Sequence, residues 1–436
     1  MFIRVLSFLF LINSVMVNAS VSAYPVGPYV NDEGFHMVWM WRDTKYANTT
    51  YNLSYARSID LKTWENCNNK TSVPIENNKI FTVLYGKESR LGQSFYSGLL
   101  NSRQDISFFK GKVVLTYIVN DDTGTQIVNS ILENCHWESN VITRNCEYLD
   151  TAKLGTIKDV GRLKFSKIMF KKGGAFQYIR NKLKQCAKNI PSEGVYNYDD
   201  NLNLLNIEKR KNVSKKNVES KLFTKHLNVL KVIKLNNTYL SWAAKQNNGD
   251  KIPQCIIRKT CSENDFLSSV TLGTGSNSKY LRNLNGKKLK VWGGSQASFS
   301  AYYKNDTLYF SHYNQNRELT LSKIRNNIVE STIILDEANN EWDSHNNIEV
   351  IHHKNLTWIV GNVHNNQLKI YIFDGVNLIN TLIEPPTSKY TYPKFIQHEE
   401  KLLLMARQGE SGDGEYWILE LSNIKLISRW KLFGAD

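Results

Sequence analysis

The chain has 436 residues, 41% of them hydrophobic, with 10 Trp, 22 Tyr and 18 Phe, which is ample material for a packed core. Eight prolines and 24 glycines are too few for a collagen-like or low-complexity polymer. Its 55 basic residues against 40 acidic ones leave a formal charge of +15, which favours polyanionic partners: nucleic acid, acidic polysaccharide or anionic lipid.

At the N-terminus, Arg4 precedes an apolar stretch from Val5 to Val17, and Val17-Asn18-Ala19 places compact residues where a signal peptidase cuts. This predicts a signal peptide over residues 1–19 and a single mature domain over 20–436. No later run approaches the ~20 apolar residues of a membrane helix, so no membrane insertion is expected. Export, to the medium or to a Gram-negative periplasm, makes nucleic acid a poor partner and leaves an acidic glycan as the better one.

Along the mature chain one pattern recurs. A polar turn of Gly, Asn, Asp or Lys is flanked on both sides by alternating aromatic and β-branched residues, as in "YVNDEGFHMVWMW" and "ISFFKGKVVLTYIV". Its turn centres fall near residues 33, 111, 172, 236, 305, 355 and 400. Each reads as a β-hairpin. Seven hairpins at this spacing predict an all-β fold of four-stranded units, a seven-bladed β-propeller. No Pro/Gly/Ser-rich linker divides the chain, which argues against two tandem sandwiches. Residues 182–225, rich in Lys and Asn, read as a surface insertion carrying the densest positive charge.

The six cysteines contain no C-x-x-C pair, which argues against a zinc ribbon or a thioredoxin-type site. The short spacings favour Cys135–Cys146 and Cys255–Cys261, leaving Cys67 with Cys186. Sequons at Asn48, Asn52, Asn69, Asn212, Asn236, Asn305 and Asn355 permit glycosylation in a eukaryotic secretory pathway.

Ser58, Asp60 and Trp64 in "YARSIDLKTW" form an S-x-D-x-x-x-W arrangement similar to the Asp-box hairpin of sialidase-type propellers, without its usual Gly. The motif is a folding element. Around it, "YPVGPYVNDEGFHMVWMWRDT", "DSHNNIEVIHHKNLTWIVGNVHNN" and "TYPKFIQHEEKLLLMARQGESGDGEYWI" resemble the BNR-4 repeat family, which includes seven-bladed propeller polysaccharide lyases acting on ulvan and on rhamnose–glucuronate polymers. In that family the H-N-N and T-Y-P segments precede the Y-P-x-G-P segment. Here they follow it, as in a circular permutation, which a ring tolerates if its two ends meet inside one blade. The family's T-N-H-D-L reads here as Thr49-Thr50-Tyr51-Asn52-Leu53.

Eliminating a 4-linked uronate needs a cation to stabilise the enolate that forms as C5 loses its proton, a base for that proton, and an acid for the departing O4. Arg suits the first task, and His and Tyr suit the others. His345 and His364 flank one hairpin, and Tyr392 and Arg407 flank the next. By resemblance to the lyases, Arg407 would neutralise the carboxylate. Tyr392 and His345 would divide the acid and base work, and His364 would position or neutralise. Asn346, Asn347 and Asn365 would orient the imidazoles or bind hydroxyls, with Arg42 and Tyr51 as further substrate-binding candidates. Alternatively, Arg42 pairs with Asp43, and Arg407 with Asp413 or Glu410. Trp39 and Trp41 read as core, and His352, His353 and His398 as surface.

The expectation is a monomeric, secreted polysaccharide lyase acting on an acidic glycan. It needs no organic cofactor and no metal, with a structural cation left open. The rivals are a carbohydrate-binding propeller without turnover and a glycoside hydrolase using Asp343 and Glu410.

Overall fold

A computed structural model of the chain describes residues 22–42, 50–67, 69–76, 81–84, 99–149, 162–171, 173–186, 191–209, 229–235, 238–243, 255–258, 268–269, 278–282, 288–292, 300–304, 307–313, 318–325, 328–336, 346–363, 366–375, 377–383, 389–408 and 415–433. The signal-peptide expectation falls outside them. Every regular element among the described residues is a strand, and none is a helix.

The strands form eight antiparallel sheets in chain order. The first is built on Ser22–Asn31, Gly34–Arg42 and Thr50–Ser58, the second on Leu99–Phe109, Lys112–Asn120, Thr125–Glu133 and His136–Val141. The eighth holds Lys389–His398, Lys401–Gln408, Glu415–Ser422 and Lys425–Phe433, joined at its inner edge by Asn366–Gln367. All seven expected turns join the strands they should: the pairs Asn31↔Gly34, Phe109↔Lys112, Lys171↔Gly174, Leu235↔Thr238, Lys304↔Thr307, His353↔Leu356 and His398↔Lys401 close them. The one sheet beyond the expected seven is the fifth in chain order, at residues 268–292, where Ser278–Arg282 pairs with Lys288–Trp292 and five residues, rather than two, separate the strands. That connection lacks the short turn by which the others are recognised.

Within a sheet, burial falls from the second strand to the fourth. Gly34–Arg42 is buried at every position, because each of its faces meets a neighbouring sheet. The fourth strands His136–Val141 and Leu204–Lys209 are mostly exposed. The first strands converge. The Tyr29 hydroxyl of the first sheet donates to Asp105 of the second at 2.8 Å. Lys167 of the third pairs with Asp105 at 3.4 Å and lies 3.4 Å from the centre of the Tyr29 ring. Lys394 of the eighth approaches the same ring at 5.2 Å and donates to the Gly27 carbonyl at 2.9 Å. Gly27 (φ +117°) is needed for the bend of its own strand, since a Cβ there would lie 2.9 Å from the His36 carbonyl oxygen. Side chains from the first, second, third and eighth sheets thus meet on one axis. With the strands ordered from inside to outside in each sheet, the arrangement is propeller-like.

The first and last sheets meet side by side and share no strand. Each terminal sheet is built from its own stretch of sequence, apart from a short edge bridge. The Ile75 amide donates to the Leu432 carbonyl at 2.8 Å beside a parallel bridge to Phe433. The Phe433 ring lies 5.3 Å from that of Trp39 and 5.9 Å from that of Trp41, in a cluster with Phe81, Ile418 and Tyr416. Truncating such a ring to alanine costs about 3–5 kcal/mol, so this seam holds the fold by apolar packing. Trp39 and Trp41 are core residues, as expected.

The Asp-box reading is borne out in detail. Asp60 Oδ1 accepts the Lys62 and Thr63 amides at 2.8 and 2.7 Å, Ser58 Oγ accepts the Leu61 amide at 2.8 Å, and Trp64 is fully buried. Burial works against the Asp60 carboxylate, but these hydrogen bonds outweigh it and hold its pKa below the ordinary range. Leu61 takes the left-handed backbone (φ 61°) in a box that lacks its usual Gly.

Three expectations are corrected. The bridges are Cys67–Cys135 and Cys146–Cys186, with Cα–Cα distances of 5.4 and 5.1 Å, in place of Cys135–Cys146 and Cys67–Cys186. Short spacing in sequence misleads here, because Cys135 lies in the turn before the second sheet's outer strand and faces the first sheet. Cys146 lies past that strand and faces the third. The proposed Cys255–Cys261 pair falls outside the described side chains. Residues 182–225 are not simply an insertion: Glu193–Tyr198 and Leu204–Lys209 complete the third sheet, with Val195, Tyr196 and Tyr198 in its core. His353, read as a surface residue, is buried at the seventh sheet's hairpin, and burial lowers its pKa.

Candidate functional site

The first and eighth sheets place polar side chains of opposite chain ends in one buried cluster. Arg42 ends the strand Gly34–Arg42, and Tyr24, on the neighbouring strand, is in register with Met40. Arg407 lies near the end of Lys401–Gln408, paired with Thr391 on one side and Tyr416 on the other. Tyr392 follows Thr391 at a bulge, where pairing shifts between Thr391 and Lys394, and its backbone is left-handed (φ 53°). That conformation is costly for an aromatic residue and is concentrated at functional sites.

Both guanidinium groups converge on one ring. Arg42 Cζ lies 3.7 Å, and Arg407 Cζ 5.7 Å, from the centre of the Tyr24 ring. These distances are within the range of cation–π attraction, which holds two like charges beside the same aromatic. Arg42 and Arg407 are both buried, at 6% and 2% exposure. Burial pulls the Arg42 pKa below its ordinary range; Tyr24, Tyr392 and Tyr416 oppose this, and the Arg407 charge adds to it. An arginine keeps its proton even so. Burial pushes the Tyr416 phenol well above the ordinary range in spite of Arg407, so Tyr416 is a hydrogen-bond donor at neutral pH. The Tyr24 hydroxyl is buried without a hydrogen-bond partner among the described residues. The cluster therefore combines two fixed positive charges with phenolic donors, which is the chemistry that recognises a carboxylate or another oxyanion.

Of the sequence-predicted residues, the structure brings together Tyr392, Arg407 and Arg42. His345, His364 and Asn365, and the side chains of Asn346 and Asn347, lie outside the described residues. In the backbone, Asn346 pairs with Val363 within the seventh sheet, and Asn366 pairs with Tyr390 of the eighth, two residues before Tyr392. Tyr51 sits in the apolar cluster with Trp41, Phe81 and Phe433, and Asn52 beside it is buried in a left-handed conformation (φ 45°). Asp43, Asp343, Glu410 and Asp413 are also outside the described residues. Sequence reasoning missed Tyr24 and Tyr416. Both stand within the quoted motifs, but only the strand register shows that Tyr416 faces Arg407 and that Tyr24 lies under Arg42.

No metal-binding group of three or more His, Cys, Asp or Glu occurs among the described residues. No helix there is long and apolar enough to cross a membrane.

Comparison with known proteins adds the family. A search of curated proteins finds no match. Among solved structures, the chain is similar to the isopeptidase AtxE2 (9% identity, TM-score 0.35), covering 93% of this chain and 58% of that one, so it spans less than two thirds of that relative's length. It is similar to a lectin of Aleuria aurantia in complex with α-methyl-L-fucoside (7% identity, 95% of each chain, TM-score 0.34). It is also similar to the dihydro-heme d1 dehydrogenase NirN (12% identity, 95% of this chain and 78% of that one, TM-score 0.41). These scores are too low for a shared fold or function to follow from them. The family model described as a BNR repeat-containing family member matches residues 10–144 and 299–431, the two stretches whose sheets build the Arg42–Arg407 cluster. That is well over half of the sequence, and the chain belongs to the BNR repeat-containing family.

Proposed function

We propose that this protein is an exported carbohydrate-active propeller, its sheets closed into one ring, that binds an acidic polysaccharide at the seam between its first and last sheets and cleaves it by β-elimination. The observation that carries the reading is the meeting of Arg42 and Arg407 over the Tyr24 ring, with Tyr392 and Tyr416 alongside. In this reading Arg407 and Arg42 hold the uronate carboxylate and lower the cost of the negative charge that develops as C5 loses its proton. Tyr416 and Tyr24 donate hydrogen bonds to the same carboxylate. Tyr392, held at its bulge, and His345 share removal of the C5 proton and protonation of the departing O4, with His364 as the second imidazole. Each Arg remains protonated throughout, so the step moves one proton from carbon and one to oxygen and needs no cofactor. The net positive charge would gather polyanion at the surface, an effect that fades with added salt. The order of motifs resembles that of a permuted ring, and the first and last sheets are joined at the seam by the Trp39–Phe433 packing and the Ile75–Leu432 hydrogen bond. Two bridged cysteine pairs agree with export.

A second reading, a carbohydrate-binding protein without turnover, is favoured by Tyr51 and Asn52. They replace the His-Asp pair of the related lyases, and both are buried. One experiment separates the two readings. The protein is incubated with ulvan, glucuronan, pectin and glycosaminoglycans, and the ultraviolet absorbance of the 4,5-unsaturated uronate is followed. Absorbance growth that is abolished by Tyr392→Phe and His345→Ala supports elimination. Saturable binding without absorbance, weakened by Arg42→Ala, supports the binding protein. If neither is seen with any acidic glycan, both readings fail.

A further inference from the structure

A cavity of about 470 Å³ opens between the first and eighth sheets at the far ends of the strands that carry Arg42 and Arg407. Gly34 lines it, and Gly34–Arg42 is a nine-residue strand, so the cavity lies roughly 26 Å from the arginine cluster. Its apolar lining comes from Phe35, Leu403, Ile59 and Trp430. Ile59, at the cavity rim, is 78% exposed. The Trp430 ring is pinned by a hydrogen bond from its Nε1 to the Leu61 carbonyl at 3.1 Å, and the Lys62 ammonium lies 4.7 Å from its centre.

Around this lining stand carboxylates and amines together. Four of the five carboxylates already have a partner: Asp60 in the Asp box, Glu33 with Arg57 at 3.5 Å, Glu420 with the Ser428 hydroxyl at 3.0 Å, and Glu399 with His398 at 3.9 Å. Asp32 and the lone pairs that these partners leave open on the other carboxylates are the acceptors, and Lys62 and Lys401 are the donors. A simple cation site would not carry two lysines. An anion site would not carry five carboxylates. A ligand whose every polar group both donates and accepts, on an apolar ring face that can lie against an indole, fits both sets, and that ligand is a neutral sugar.

We propose that this cavity is a second carbohydrate site, taking a neutral hexose or deoxyhexose unit of a glycan chain. The excess of carboxylates turns away the acidic sugar that the arginine cluster attracts, so the two sites divide a mixed polymer between them. A polymer long enough to reach both would be held more tightly than either site alone holds a short fragment. This last consequence rests on the carbohydrate reading of the arginine cluster, whereas neutral-sugar binding at the cavity stands on its own.

The test is calorimetry and saturation-transfer NMR with the methyl glycosides of glucose, galactose, mannose, rhamnose and fucose. Asp32 and Lys401 are exposed turn residues, so Asp32→Ala/Lys401→Ala should fold normally; Trp430→Leu, checked by circular dichroism, is the second variant. Expected is saturable binding of at least one glycoside, weakened at least fivefold by both variants and unchanged by Arg42→Ala. No saturable binding of any glycoside, or equal binding by wild type and both variants, overturns the proposal. An acidic-glycan signal that fails to depend on Arg42 counts against the arginine cluster and leaves this result intact.

Discussion

Arg42 and Arg407 supply the sharpest test of the seam site. Their Cζ atoms lie 3.7 and 5.7 Å from one ring centre, so an oxyanion bound beside Tyr24 feels both charges at once. Removing one member of a buried, hydrogen-bonded charge pair costs about 2–5 kcal/mol of binding. Taking roughly 3 kcal/mol, Arg42→Ala should weaken a glucuronate oligosaccharide by about a hundredfold, at 1.4 kcal/mol per decade. Arg407→Lys keeps the charge but loses the planar fork, and should fall between wild type and Arg407→Ala. Because both groups hold the same anion, the double variant should lose less than the two single losses combined, with a coupling of 1 kcal/mol or more. The assay is calorimetric titration at low and moderate salt, with thermal unfolding of each variant as a control on folding. Strictly additive losses, or an Arg42→Ala protein that binds as wild type does, would refute a shared anion site.

Three further outcomes follow from the groups around the site. Burial pushes the Lys394 pKa down to about 8, with Lys167 acting in the same direction and Glu349 and Asp105 opposing. The unfolded chain therefore binds the extra proton between about pH 8 and 10.5, and wild-type stability should rise with pH across that window by about 3 kcal/mol relative to Lys394→Met, measured by urea unfolding. His36 is buried between Tyr55 and Asn31, its ring nitrogens 2.8 Å from each, and its pKa falls to about 4 through burial and then the Arg57 charge. Its contribution is complete above pH 6.5 and lost as pH falls through 4, so His36→Gln should flatten the acid limb of stability by a similar amount. Replacing Cys67 and Cys135 by Ser opens a loop of 68 residues, which by chain entropy alone costs about 4 kcal/mol and should lower the melting temperature. An unchanged melting temperature would show that the bridge does not restrain the unfolded chain.

Strand positions were legible because alternation is a local property. Seven polar turns between aromatic and β-branched runs marked seven hairpins, and Ser58, Asp60 and Trp64 marked the Asp box; each depends only on residues near in sequence. The fifth sheet escaped because five residues separate its paired strands, and the third sheet's outer strands were hidden because they lie within a Lys- and Asn-rich stretch of sequence. Which sheets touch is a different matter. Cys67 finds Cys135, and Arg42 finds Arg407, because rigid sheets stack edge to centre around an axis, and the distance between two side chains is then set by packing across the seam. The sequence by itself determined the all-β character, the hairpin positions and the placing of Tyr392 and Arg407 on the two strands that flank one turn. Only the tertiary structure decided that Arg42 and Tyr24, from the first sheet, complete their cluster, since no local pattern encodes a contact between sheets so far apart in sequence.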